Sequence, residues 1–392
     1  MRTLTPIVFA TVLVIATACH DAATIPVAPS SPAMSVSNDG TWMVNSLADP
    51  GDGVCTGSDC TLREAIAAAE PGDSITFKGN LSGRILTESA LIIGKSLTIA
   101  GPGARVLAID GQNDHRVFQL DESSVVTISG LTVFRGNDIN GGGIYVGESS
   151  RLTLVASVVA GNQAVLGGGI FNNGLLTLVR STVSGNTSSD EGGGILSEGQ
   201  RLTIVRSTIS GNRANGFGGG VFVCSSSACP GNLTLRSSTI TDNQAAEQAG
   251  GLYMNEFWAT GTAFNTIIAG NRGLASNTSI ECIDLPLISL GYNLTTSQEC
   301  GSLNAATDVR VEPSQVFTAV LQALLADNGG QVPTHALIER GFAVDAGYCP
   351  GEGLDQRDFP RPFDDLRIPN VLDGCDIGAY EWQPSGKKAP KP

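Results

Sequence analysis

A Gly-rich triplet returns five times at nearly one interval, at residues 141–143, 167–169, 192–194, 218–220 and, with Ala249 leading, 249–251. Beside it run Gly-Asn or Asp-Asn pairs ending at Asn137, Asn162, Asn186, Asn212, Asn243 and Asn271, spaced 25, 24, 26, 31 and 28 residues apart. A period in this range belongs to solenoids, whose repeats bury their apolar side only against their neighbours. Composition agrees. Gly supplies 49 of 392 residues, well above the usual ~7%, and charged residues are 15% against a usual ~25%. Frequent glycine suits sharp corners with positive φ.

Aligning the coils on their Asn exposes strand columns. Leu152, Leu176, Leu202 and Leu233 share one; Leu154, Leu178, Ile204 and Leu235 share the next alternate one. Val159, Val183, Ile209, Ile240 and Ile268 form a third, and Ile144, Ile170, Ile195, Val221 and Leu252 follow the Gly corners. Thr153, Thr177, Thr203 and Thr234 lie between inward Leu positions and are expected to face out. Period two inside a period near 25 describes parallel strands stacked coil on coil. Parallel crossovers are overwhelmingly right-handed. The fold expected is therefore all-β, a right-handed single-stranded parallel β-helix of about nine coils, roughly 43 Å long.

The ends are not repeats. Arg2, the apolar stretch from Ile7 to Ile15 and the small residues Ala16, Thr17 and Ala18 before Cys19 read as an export signal over residues 1–18. Residues 19–40, rich in Ala, Pro and Ser, read as a tether. Over 41–72, Thr61 with Glu64 forms a capping box, and Leu62, Ala65, Ile66 and Ala69 make a one-sided helix stopped before Pro71. That helix suits a cap on the open first coil, where bare strand edges invite association. Repeats are expected over 73–300, an irregular C-terminal cap over 301–383 and a disordered tail over 384–392. Setting Cys19 aside, eight cysteines fall into sequence-local pairs, Cys55 with Cys60, Cys224 with Cys229, Cys282 with Cys300 and Cys349 with Cys375. Nearest-neighbour bridging is the economical pairing, although sequence leaves connectivity open. With no Cys-x-x-Cys and only three His, no metal site is expected.

Three resemblances carry further implications. Ala16-Thr17-Ala18-Cys19 resembles the lipobox of bacterial lipoproteins, which implies cleavage before Cys19, its lipidation and anchoring to the cell envelope at an outer membrane or the cell surface. Residues 44–77, with Cys-Thr-Leu-Arg-Glu-Ala at 60–65, resemble the CSLREA domain found at the front of bacterial surface β-helix proteins; Thr61 stands where that family has Ser. Residues 328–337, 343–347, 355–362 and 375–381 resemble the choice-of-anchor Q region that ends many such proteins, with Asp358 where the family usually has Gly. The strand pattern between them resembles the pectin-lyase-like superfold.

That superfold includes lyases and hydrolases of acidic polysaccharides, which need carboxylates converging from adjacent coils, as Ca²⁺ ligands or as acid and base. Glu148, Glu198 and Glu256 fall near one corner, but the coil between the first two contributes Asn173 and Gly174. Asp190 and Glu191 have no acidic counterpart one coil away. Arg180 and Arg206 share a column, with Arg236 one position off, and offer an anionic-glycan footprint or simply a solvated strand surface. The column Tyr145, Phe171, Leu196, Phe222, Tyr253 is a sugar-stacking strip if it faces out and core if it faces in. In the tail, Asp345, Asp355, Arg357, Arg361, Asp376 and Glu381 could converge, more as a salt-bridged lid than an active centre, with His335 a structural residue. The Asn positions suit left-handed corners and stacked amides.

A net charge of −14 speaks against nucleic acid as a partner. The expectation is an exported, monomeric, membrane-anchored β-helix that contacts polysaccharide or other surface glycan without catalysis or cofactor. The alternative is a polysaccharide lyase or hydrolase, with Ca²⁺ entering only there.

Overall fold

The computed structural model describes residues 40–384 apart from 122, 224–230, 256–258, 275–280, 284–286, 297–299 and 301–302. Cys19, Cys224, Cys229 and Glu256 lie outside the described residues. The chain winds as a right-handed parallel β-helix. A broad face of ten strands runs from Thr41–Val44 to Leu287–Ser289, a flank of ten from Gly83–Leu86 to Val309–Arg310, and a third face of eight from Leu91–Ile93 to Cys282–Ile283. A short six-stranded ladder, from Asn137–Asn140 to Arg272–Gly273, lines the turn between flank and third face. All named strand pairs are parallel, and eight turns carry every main face.

The columns hold in register. Leu152, Leu176, Leu202 and Leu233 are consecutive partners on the broad face, and Ile144, Ile170, Ile195, Val221 and Leu252 on the third. These side chains are fully buried in one continuous core. The outward Thr rank is longer than expected, running from Thr98 and Thr127 through Thr153, Thr177, Thr203 and Thr234 to Thr262.

At the first coil the helix Leu62–Ala68 forms as its sequence demands. The Thr61 hydroxyl accepts from Glu64 N, and Glu64 Oε2 accepts from Thr61 N at 2.8 Å. Leu62, Ala65 and Ile66 bury against the end of the core. The bridges Cys55–Cys60, Cys282–Cys300 and Cys349–Cys375 are formed.

The Asn ladder is real but shifted at its start. Asn162, Asn186, Asn212, Asn243 and Asn271 are buried, and each Oδ1 from Asn186 onward accepts both the N–H and the Nδ2 of the Asn one coil earlier, at 2.8–3.0 Å. Asn137 is not a member. It is exposed, pairs with Gln163 and donates to Asn113 O, because Gly136 occupies the ladder position and donates to Asn162 Oδ1. Nor do the Asn residues supply the left-handed corner. The preceding Gly161, Gly185, Gly211, Asp242 and Gly270 do, with φ between 55° and 79°. Glu281 ends the ladder, accepting from Asn271 N and Nδ2, Gly270 N and the Thr296 hydroxyl; burial pushes its pKa up to about 7 against those donors.

The C-terminal region closes the rod and also covers one side of it. The turn at Pro313–Gln315 and Val316–Val320 closes the end, with Phe317 and Val316 against Gly270. The chain beyond folds back along the outside of the flank, and Arg105 meets Asp327 and Val332 O well toward the front of the rod.

Candidate functional site

One outward rank of the flank reads Arg84, Ala108, Thr132, Val158, Thr182, Thr208, Thr239, Ile267. Small residues at its middle let the C-terminal region approach closely. The Thr182 hydroxyl donates to Pro333 O, Gln356 bridges Thr182 and Thr208, and Thr239 Oγ1 accepts from Ala379 N. His335 sits in the same seam. Its Nε2 lies 2.7 Å from the Ser210 hydroxyl and its Nδ1 2.8 Å from Gln322 O. Burial lowers its pKa, so the neutral ring donating from Nδ1 and accepting at Nε2 satisfies both contacts.

Arg180 and Arg206 stand on successive corners in the left-handed conformation, φ 49° and 46°. They do not face solvent as a glycan footprint. Arg180 pairs with Asp358 at 2.6 Å, Arg206 donates to Leu354 O, and the neighbouring Arg236 pairs with Glu352 at 2.6 Å. Like charges stacked one coil apart are compensated by acids of the chain's own C-terminal region. Behind them Arg361, fully buried, is 3.0 Å from Glu381 and 3.6 Å from Glu352, and Arg357 pairs with Asp355. Asp376 accepts from Asp345 N and Trp382 N. Burial, then the neighbouring Glu381, raises Asp376 well above the carboxylate range; burial pushes Glu381 to about 7 despite Arg361, and Asp345 to about 6. The six residues thus converge as a salt-bridged clasp. Cys349 and Cys375, which with Asp373 would have metal-ligand spacing, have their sulfurs engaged in a disulfide.

The aromatic column resolves in an unexpected way. It points away from the rod interior, opposite Ile144 and Ile170, yet Phe171, Leu196 and Phe222 are buried and Tyr145 and Tyr253 half-buried. Leu166 and Phe217 pack over it, and the Gly corners press down on it: a Cβ at Gly192 would meet Leu196 Cβ at 2.7 Å. Tyr145 stacks on Phe171 and Phe222 on Tyr253, with centroids 5.6 and 4.8 Å apart. Phe171 and Phe222 therefore cannot serve as a platform for sugar rings. They form a second, smaller core.

Among the acids, Glu148 and Glu198 remain separated by the coil that carries Asn173 and Gly174. Glu191 is different. Burial, followed by Asp190, Glu198 and Glu247, raises its pKa to about 7. Glu247 was missed from sequence because it lies two coils from Asp190, with Gly216 between them in the backbone ladder.

Sequence reasoning also missed an open stretch near the front of the flank. Loop residues Ala104, Arg105 and Val106 and the strand residues Arg84, Ala108, Thr132, Phe134 and Ala160 line a groove of about 390 Å³. The buried Asp110 carboxylate is gripped by Arg135 through Nε–Oδ1 at 2.9 Å and Nη2–Oδ2 at 2.6 Å, and by Gln112 N at 2.9 Å. Arg84 reaches it only at 3.3 Å. Both guanidinium groups lie over the Phe134 ring, at 5.0 and 5.4 Å. The available signal was the register itself, which places Arg84 before Ala108 and Thr132 and Asp110 before Phe134.

A family model described as "Right handed beta helix region" matches residues 112–282. Among solved structures, the crystal structure of pectate lyase Pel9A is similar over 88% of this chain and 98% of its own, at 13% identity and a TM-score of 0.48. No curated protein matches the sequence. The winding and the family match agree on one fold, a right-handed parallel β-helix.

Proposed function

We propose that this is an exported, lipid-anchored protein of the bacterial cell envelope whose β-helix is a non-enzymatic scaffold for adhesion or glycan contact. The observation that carries the reading is the state of the carboxylates on the flank and in the C-terminal region that covers it. Asp110, Glu352, Asp355, Asp358 and Glu381 are each paired with an arginine, so none stands ready as a base or a metal ligand. What remains accessible there is a groove with arginine, aromatic and small side chains, suited to binding. The lipobox-like Cys19 and the likeness of the two ends to CSLREA and choice-of-anchor Q regions support export and surface display. No helix among the described residues is long and apolar enough to cross a membrane.

A second reading, a polysaccharide lyase or hydrolase, draws on Glu191. A carboxyl raised to about 7 beside other acids is the pattern of a general acid. The test of the proposal is a glycan-array screen of the mature protein, with Cys19→Ala assayed for loss of membrane association. Saturable binding to a glycan class and release of C19A into the soluble fraction are expected; an array without binding overturns the contact role, and retention of C19A overturns the anchor.

A further inference from the structure

We propose that the open end of the flank is a subsite for one saccharide unit carrying a single negative charge, held through Arg84. This rests on the glycan-contact reading and gives it a place and a chemistry. The groove's volume of about 390 Å³ falls in the range of small-ligand sites, ~300–1,000 Å³. Its floor is made of Ala108, Thr132 and Ala160, short side chains over which a flat ring can lie. Its inner end is shut by the C-terminal region, where Val332 packs on Ala104 and Val158 and Asp327 pairs with Arg105.

The charge is decided by what each arginine already does. Asp110, wholly buried, has both oxygens satisfied by Arg135 and Gln112 N. Arg105 is matched by Asp327. Arg84 has one ion-pair contact, at 3.3 Å, beside its place over the Phe134 ring, and its side chain is 53% exposed. Three guanidinium groups against two carboxylates leave one positive charge, in a chain whose net charge is −14. An arriving anion can draw Arg84 from its long contact without leaving Asp110 unpaired. Arg pairs well with carboxylate and with sulfate-like oxyanions in a forked geometry.

The same features disfavour other occupants. The strands at residues 107–110 and 132–134 are hydrogen-bonded on both sides, so the floor offers no free edge to an extended peptide. One net charge is too little for a polyphosphate chain, whose affinity grows with the number of phosphates neutralised. A single ring with one carboxylate or one sulfate ester matches both the length and the charge.

The experiment titrates the mature protein with methyl glucuronide, a 6-sulfated methyl hexoside and neutral methyl glucoside, read by ligand-observed saturation-transfer NMR. Binding of a charged sugar over the neutral one is expected, and the preferred charged arm tells carboxylate from sulfate. Arg84→Ala is expected to weaken that sugar about ten-fold or more, the scale of a charge-assisted hydrogen bond. Ala108→Phe, which fills the floor and keeps every charge, is expected to abolish binding of all three. Arg151→Ala, on the exposed broad face, should leave binding unchanged. Retained thermal midpoints show that the variants fold; because R84A leaves the Asp110–Arg135 pair in place, it should melt with the wild type. Charged-sugar binding that survives both R84A and A108F overturns the subsite while leaving the scaffold reading intact. Equal binding of neutral and charged sugars overturns the role of Arg84, and no binding by any glycan, on the array or in solution, overturns both.

Discussion

The two ends of the rod solve the same problem with opposite physics. At the front, a helix of seven residues is fixed by partners three positions apart, and the acids there are held by hydrogen bonds to nearby backbone and side chains. Thr61 N leads in lowering Glu64; Glu70 N and then Trp42 Nε1 lower Asp73. At the back, contacts reach across 178 residues, from Arg180 to Asp358, and the acids are enclosed, so burial raises Asp345, Asp358, Asp376 and Glu381. The front cap draws its specifying hydrogen bonds from neighbouring sequence. The C-terminal clasp needs the finished flank beneath it.

The comparison breaks most sharply at Arg361. Its replacement by Ala strands buried Glu381, whereas Glu352 keeps Arg236, and removing one partner of a buried pair costs about 3–5 kcal/mol. Protease cleavage confined to residues beyond 320, with the repeats intact, is the expected pattern; uniform cleavage through the repeats would show that clasp and rod are not separable. Within the rod, Asn212→Ala removes the acceptor for Asn186 N and Nδ2 and should cost roughly 3 kcal/mol from several unmet buried partners. Asn137→Ala should change stability by less than about 0.5 kcal/mol, as for other surface positions. Equal melting shifts for the two would mean that the ladder register is wrong.

The pH response should separate the ends. The raised carboxyls of the clasp favour the folded state while protonated, so their contribution is complete below the ordinary carboxylate range and is lost as pH rises from there through about 6 to 7. The lowered Glu64 and Asp73 contribute above the ordinary carboxylate range and lose that contribution as pH falls through their depressed values. Emission of Trp382, nearly buried beside Asp376, should shift toward that of exposed indole as pH rises through about 6 to 7, while amide protection factors in the helix stay unchanged. A shift on acidification instead would reverse the assignment. A local effect belongs to Thr61→Ala, about 1 kcal/mol for a lost cap, measured as faster amide exchange in the first coil alone.

Legibility followed sequence distance. The Leu columns, the outward Thr and the capping box could be read because period two, period 25 and the spacing of Thr61 from Glu64 are local patterns. Asn137 misled because it shares the Gly-Asn pair while Arg135, not Gly136, takes the left-handed place, shifting the frame by one. The direction of the aromatic column followed alternation, but its burial depended on Gly corners folding over it, which no spacing encodes. Arg180 and Arg206 looked free because their counter-ions lie in another part of the chain. The groove was hidden for the same reason, since its end wall comes from Val332 and Asp327.

The most direct measurement of the central claim incubates the mature protein with a panel of uronate-containing polysaccharides, with and without Ca²⁺, and follows binding and chain cleavage together. Saturable binding with no new reducing ends and no unsaturated product is the result expected of a scaffold. Cleavage that disappears in Glu191→Gln would contradict it.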